Sequence, residues 1–137
     1  PVVRQIVQQA PEEGCYRWAL FDRDPLDCWG RGEVTLLGDA CHPTLPFMAQ
    51  GACMALEDAA VLASCLAGCA RTEIEAALKR YEGLRKDRTA SVQLGSRRNA
   101  TLYHLRPPLS WARDQVMRAG FGIKGQMDGL YGYDAPM

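Results

Sequence analysis

Apolar and polar positions change rhythm several times along this chain, and each change marks an element. Residues 3–10, VRQIVQQA, set Val3, Ile6, Val7 and Ala10 at helical spacing until Pro11 interrupts. Residues 15–23, CYRWALFDR, alternate Tyr16, Trp18 and Leu20 against Arg17, Ala19 and Phe21. That aromatic-rich alternation predicts a strand. PLDCWGRG reads as a loop, and EVTLLG (33–38) is a short, nearly all-apolar run that predicts a strand buried on both faces.

The strongest helical pattern is QGACMALEDAAVLASCLAG, residues 50–68. Ala52, Leu56, Ala59, Ala63 and Leu66 form one stripe there, and Gly68 offers a stop. A long charged helix is predicted from Thr72 to about Leu105. Ile74, Ala77, Leu78, Tyr81, Leu84, Arg88, Val92 and Gly95 mark its inner face, and Pro107 and Pro108 end it. LSWARDQVMRAGF predicts one more helix, and MDGLYGYDAPM has no regular period. Two strands do not make a stable sheet alone, so the doubly buried character of 33–38 asks for neighbours this chain does not contain.

Composition narrows the picture. The 137 residues suit one domain, and 47% apolar residues exclude a disordered chain. Sixteen basic residues cancel sixteen acidic ones, and the pI near 7.1 gives no whole-chain case for nucleic acid. Residues 71–106 do carry nine basic against four acidic side chains, which reads as a solvated helix face because no aromatics interleave. No apolar run is long enough to span a bilayer and no leader opens the chain, so the expectation is a cytoplasmic protein without membrane partners. The chain opens on Pro1 and its first methionine is Met48, so a piece of something longer is expected.

Six cysteines are an even number, which admits disulfides, yet Cys53, Cys65 and Cys69 fall among alanines and leucines as small apolar residues do. Reduced thiols are expected. No C-x-x-C pair exists, and adjacent Cys41 and His42 are not expected to share a metal ion, so the expected metal ligands are none.

The chemistry concentrates in VTLLGDACHPTLPFMAQG, residues 34–51. Asp39 ends a predicted strand, where open α/β sheets bind ligands, and its carboxylate suits hydroxyl donors. The amides of Gly51 and Ala52 open a helix, where unpaired N–H groups suit an anion or carbonyl. Gly51 also permits close approach of a flat ring. On residues alone, Asp39 fits a turn equally well, since Gly-Asp is a common turn pair. His42 reads either as a base near substrate or as a loop-shaping residue beside Pro43. Glu57 and Asp58, inside an apolar helix, read as partnered structural acids. His104 reads as a structural residue at a helix end. Asn99-Ala100-Thr101 spells a glycosylation sequon without a sign of secretion.

The segment GEVTLLGDACHPTLPFMAQGACMALEDAAVLASCL resembles the second FAD-contacting motif of flavin-dependent aromatic hydroxylases, the class of para-hydroxybenzoate and salicylate hydroxylases. An apolar strand, Gly-Asp-Ala, His-Pro, a further Pro, Ala-Gln-Gly and a helix with Glu-Asp-Ala match nearly throughout residues 34–66. The tail LYGYDA is most similar to hydroxylases of the salicylate and 6-hydroxynicotinate type. The resemblance implies that Gly38 and Asp39 hold the ribityl side of FAD and that Pro46 lies by the isoalloxazine. It places the amides of Gln50, Gly51 and Ala52 near flavin N1 and the C2 carbonyl, and His42, Phe47 and Met48 on the substrate side. It assigns no catalytic residue. Donors near N1 would stabilise charge on reduced flavin.

It further implies an α/β fragment with an incomplete sheet of about two strands followed by three helices, part of a Rossmann-like FAD/NAD(P)-binding fold. Residues 1–28 would end the substrate-domain sheet, 29–68 would form the FAD-binding strand–loop–helix, and 69–137 a C-terminal helical segment. The implied activity is hydroxylation of an aromatic substrate with NAD(P)H and O2 through a C4a-hydroperoxyflavin. The GxGxxG half is absent, since GRGEVT precedes its strand instead of following it. The missing N-terminal FAD-binding half is therefore the expected partner, along with self-association through open strand edges. The alternative is a small helical interaction module derived from such an enzyme that no longer binds flavin.

Overall fold

The computed structural model describes residues 2–14, 16, 18–120 and 129–136. Among these, the chain is mainly helical: α1 (Val2–Gln8), β1 (Gly30–Arg31), β2 (Val34–Thr35), α2 (Gly51–Leu66), α3 (Ile74–Tyr103) and α4 (Leu109–Arg118), with short 3-10 turns between them. The predicted helices are all present, and α2 ends where Gly68 adopts φ +72. α3 stops at Tyr103, ahead of the two prolines, with His104 as its cap. Part of the last predicted helix, at 121, and the start of the tail segment lie outside the described residues.

The sheet differs from expectation. Tyr16 and Trp18–Arg23 form no strand, while Cys15 and Arg17 lie outside the described residues. No strand among the described residues runs beside this segment, so its amides lack a ladder to join. Tyr16, Trp18, Leu20 and Phe21 are all exposed, Trp18 by 81%. The expected strand 33–38 contracts to Val34–Thr35, which pairs antiparallel with Gly30–Arg31. Gly32 at φ +58 makes the tight connection, a position where a hairpin asks for glycine. Val34 is 69% exposed, so the two-face burial read from the apolar run does not occur in this chain.

α2 and α3 pack against each other and form the frame. Their apolar centre gathers Trp29, Cys41, Val61, Cys65, Ala77 and Tyr81, with Leu26, Leu36, Leu62, Cys69 and Ala135 around it. Trp29 stands edge-on to Tyr81 at 5.6 Å between ring centres. The face of α2 that turns inward is Met54, Asp58, Val61 and Cys65, not the predicted stripe. Ala52, Leu56, Ala59, Ala63 and Leu66 lie outside, with Leu56 72% exposed. Both faces of α2 are rich in small apolar residues, so periodicity alone does not choose between them. The choice falls to Asp58, which must bury its carboxylate against a cation.

That cation is Arg85. The inner face of α3 follows the predicted repeat through Ala77, Leu78, Tyr81 and Val92 but includes buried Arg85, Thr89, Gln93 and Ser96. Leu84, expected inside, is exposed. Four of the nine basic side chains of residues 71–106 are used internally. Arg85 and Arg88 bind Glu57, Arg97 binds Asp22 and Asp24, and Lys86 donates to the Asp27 carbonyl. The tail docks on the same row: Arg88 lies 4.2 Å over the Tyr133 ring and donates to the carbonyls of Gly129 and Leu130. No helix of the described residues is long and apolar enough to cross a membrane.

Candidate functional site: a Gly-Asp turn facing a bare helix start

The segment after β2 turns sharply at Gly38, whose φ of +59 suits glycine. A β-carbon there would also meet Ala55 Cβ at 3.2 Å, so the turn lies flat on α2. Gly38 O accepts from the amides of both Cys41 and His42 at 2.9 Å, closing a 3-10 turn over Gly38–Ala40. The Gly38 amide is held from below: it donates to Asp58 Oδ2 at 3.1 Å.

Asp58 is the hub beneath this turn. Its Oδ2 also meets His42 Nε2 at 2.5 Å, and its Oδ1 accepts from Arg85 Nε at 2.8 Å. Arg85 reaches Glu57 at 2.7 Å and donates to Tyr133 Oη at 3.1 Å. Asp58 and Arg85 are 0% exposed. Burial alone would raise the Asp58 carboxyl, but hydrogen bonds from His42 and Arg85 outweigh it and hold the group below the usual carboxylate range. These acids are partnered and structural, as expected.

Asp39 projects from the turn into solvent. Its nearest neighbour of interest is Gly51, the first residue of α2. A β-carbon at Gly51 would lie 3.8 Å from Asp39 Oδ1 and 3.1 Å from Thr44 Oγ1. No side chain caps this helix, since Gln50 makes no cap hydrogen bond, and the first internal bond is Met54 N to Gln50 O at 2.9 Å. A carboxylate and a set of uncapped amides thus share one small, glycine-cleared region. Ala52 is exposed beside it, while Gln50 is buried at the junction.

Between the two runs the proline loop, 43–48, seated on α3. Pro43 and Pro46 cannot donate from their backbones, and the loop forms no ladder. Three side chains of α3 take its carbonyls instead. Gln93 Nε2 donates to Pro43 O at 3.1 Å, Ser96 Oγ to Leu45 O at 2.5 Å, and Asn99 Nδ2 to Phe47 O at 3.2 Å. Alternate loop carbonyls meet every third helix residue. The 3-10 turn Pro46–Met48 follows, with Pro46 exposed and Phe47 and Met48 half-buried. Phe47 stands edge-on to Tyr103 and His104. The turn ends at Ala49, which adopts φ +53. Sequence reasoning missed Arg85, Gln93, Ser96 and Asn99, although polar residues recurring at three- and four-residue steps within an apolar face were a signal.

His42, expected on the substrate side, turns inward and is 1% exposed. It packs 5.5 Å from the Trp29 ring, on Asp58. Its Nδ1 has no hydrogen-bond partner among the described residues. Cys41 Sγ, a His42 ring nitrogen and an Asp58 oxygen lie within 4.8 Å of one another, although the adjacent pair was not expected to share an ion. The donors nevertheless suit a cation poorly. Arg85 already occupies Asp58, and burial followed by the Asp58 charge pushes the Cys41 thiol up to about 12, away from the thiolate a metal needs.

The arrangement is thus a turn carboxylate set against the open end of a helix. The chain belongs to the FAD binding domain family, which matches residues 17–94. It is 44% identical over 102 residues to the 6-hydroxynicotinate 3-monooxygenase of Bordetella bronchiseptica, covering 74% of this chain and 26% of that protein. It is 47% identical to the 3-amino-4-hydroxybenzoate 2-monooxygenase of Streptomyces cremeus, covering 85% of this chain and 29% of that one. Among solved structures, Klebsiella pneumoniae HpxO complexed with FAD and uric acid superposes with TM-score 0.84 at 33% identity, over 96% of this chain and 34% of that one. A salicylate hydroxylase substrate complex gives TM-score 0.71 at 32% identity, over 86% and 29%. The chain thus spans between a quarter and a third of the length of the curated relatives named here.

Proposed function

We propose that residues 1–137 are the C-terminal portion of an FAD-dependent monooxygenase that hydroxylates an aromatic substrate with NAD(P)H and O2. The observation that carries this reading is the Asp39 carboxylate beside the Cβ-free start of α2 at Gly51. The residues present fit a flavin. Asp39, on its pinned Gly38 turn, would take the ribityl hydroxyls. The free amides at Gln50, Gly51 and Ala52 would take the electron-rich edge of the ring, and Pro46 would lie against it. FAD, when bound, supplies the redox chemistry; the protein supplies orientation and fixed dipoles. Phe47 and Met48, the residues after Pro46, would border the aromatic substrate. His42 belongs beneath the loop, where its bond to Asp58 shapes the Cys41–Pro43 bend.

The relatives named as monooxygenases of hydroxylated, carboxylated rings support the substrate class. The same reading divides the chain into 1–28 as the end of a substrate-domain sheet, 29–68 as the FAD-contacting unit and 69–137 as the helical segment. The exposed alternation Tyr16, Trp18, Leu20 and the exposed Leu37 and Leu56 fit burial against further sheet and helix in a longer, cytoplasmic flavoprotein.

The test is colour. A protein carrying residues 1–137 within the complete enzyme is expected to purify yellow, and Asp39→Ala to lose most of its FAD on gel filtration. The 137-residue chain alone is expected to bind FAD weakly and to self-associate in sedimentation. A complete protein that stays colourless with ample FAD would favour a derived helical module without flavin.

A further inference from the structure

α3 contains two interior glycines, Gly83 and Gly95, both unfavourable in a helix relative to alanine. They differ in surroundings. A β-carbon at Gly83 would meet nothing within 4 Å. One at Gly95 would meet Met48 Sδ at 2.8 Å, closer than a real β-carbon stands to a neighbour, with Met48 Cε in ordinary contact at 3.6 Å. Gly95 therefore leaves a socket, and the Met48 thioether fills it. The backbone around Met48 is not free to follow a displaced side chain, because Ser96 and Asn99 hold the carbonyls of Leu45 and Phe47 from the same face of α3.

We propose that Gly95 is a specificity-determining position that acts through Met48. The socket draws the thioether onto α3 and so sets the space beside Pro46 and Phe47 available to an aromatic ring. The inference rests on the flavin reading above, which puts Met48 on the substrate side. A Cβ at 95 ejects the flexible end of Met48 while the hydrogen-bonded loop stays in place. The displaced sulfur then narrows the adjoining space, and a wider ring loses more than a narrow one.

The test uses the complete flavoprotein with methyl-labelled methionine, comparing Gly95→Ala with Gly83→Ala. Both variants are expected to stay folded and to keep the parent's flavin content. Only Gly95→Ala is expected to move the Met48 methyl resonance. Salicylate and urate, one ring and two fused rings, serve as probes through the perturbation of flavin absorbance. The ratio of their dissociation constants is expected to shift about tenfold against urate in Gly95→Ala. It should not shift in Gly83→Ala, nor when Gly95→Ala is added to Met48→Ala. A Met48 methyl that stays in place, an unchanged ratio, or a shift that persists without Met48 would overturn the proposal. Asp39→Ala separates the two levels: full flavin retention there sinks the flavin reading, and the methyl resonance still decides whether Gly95 is the socket of Met48. Should neither probe perturb the flavin, the aromatic site at Met48 is refuted.

Discussion

Asp58 Oδ2 accepts the backbone amide of Gly38 at 3.1 Å, so a buried side chain of α2 holds the turn that presents Asp39. The same carboxylate neutralises Arg85 and receives His42, which binds the turn, the proline loop and α3 into one polar unit. A buried charge without its partner is costlier than the pair is favourable.

Asp58→Ala is therefore expected to cost about 3–5 kcal/mol, because fully buried Arg85 is left with Glu57 as its one carboxylate and the Gly38 amide and His42 lose their acceptor. Asp58→Asn keeps the shape and one acceptor for Gly38 and should cost less. Urea denaturation of the three proteins gives the order. Equal loss in both variants would mean that the lost charge accounts for the whole effect and the retained Gly38 contact for none of it.

Stability should fall at both ends of the pH range, for different groups. Asp58 has its carboxyl lowered in the folded chain, so below about pH 4 the unfolded chain binds a proton that the folded chain refuses. Its contribution is complete above that point and is lost as pH drops through the lowered value. Cys41 behaves oppositely. Burial, then the Asp58 charge, raise its thiol from 9.0 to about 12, so unfolding releases a proton and stability declines as pH rises between those values. Burial likewise pushes Tyr81 up, adding to the alkaline limb. Denaturation midpoints against pH should show Asp58→Asn flattening the acid limb and Cys41→Ala the alkaline one.

Most helices were legible because their signals are local. The α3 repeat, the Gly68 stop and the Gln50–Gly51 start all act within a few residues. The Gly-Asp turn and proline loop were legible as a motif, and the structure puts Asp39 and Gly51 side by side. What escaped was long-range. The aromatic alternation of 16–23 has strand propensity but finds no partner strand among the described residues. The inward face of α2 is decided by a salt bridge across 27 residues, which no hydrophobic repeat records. Gln93, Ser96 and Asn99 look like surface polar residues until loop carbonyls without a ladder are placed against them.

Thiol reactivity should separate the cysteines by burial. Cys28 and Cys53 are exposed, whereas Cys41 and Cys65 are buried, and all four are free. Iodoacetamide at pH 8 is expected to label Cys28 and Cys53 first and to reach Cys41 only on unfolding, since a buried thiol raised to about 12 offers almost no thiolate. Peptide mapping reads the order, and early labelling at Cys41 would contradict its enclosed position.

Ala49 is the single non-glycine residue with positive φ among the described residues, and it joins the Pro46–Met48 turn to the start of α2. An L-residue with a β-carbon is strained there by roughly 1–2 kcal/mol, and glycine is not. Glycine also loosens the unfolded chain, which offsets about 0.4–1 kcal/mol of the relief. Ala49→Gly is accordingly expected to stabilise the folded chain by up to about 1 kcal/mol. The exposed Ala49 side chain leaves little packing to lose. The substitution also leaves the three carbonyl contacts to α3 untouched, so the loop should keep its place. A urea midpoint above that of the parent confirms the strain. A midpoint well below it would show that Ala49 Cβ makes a contact that outweighs the backbone relief.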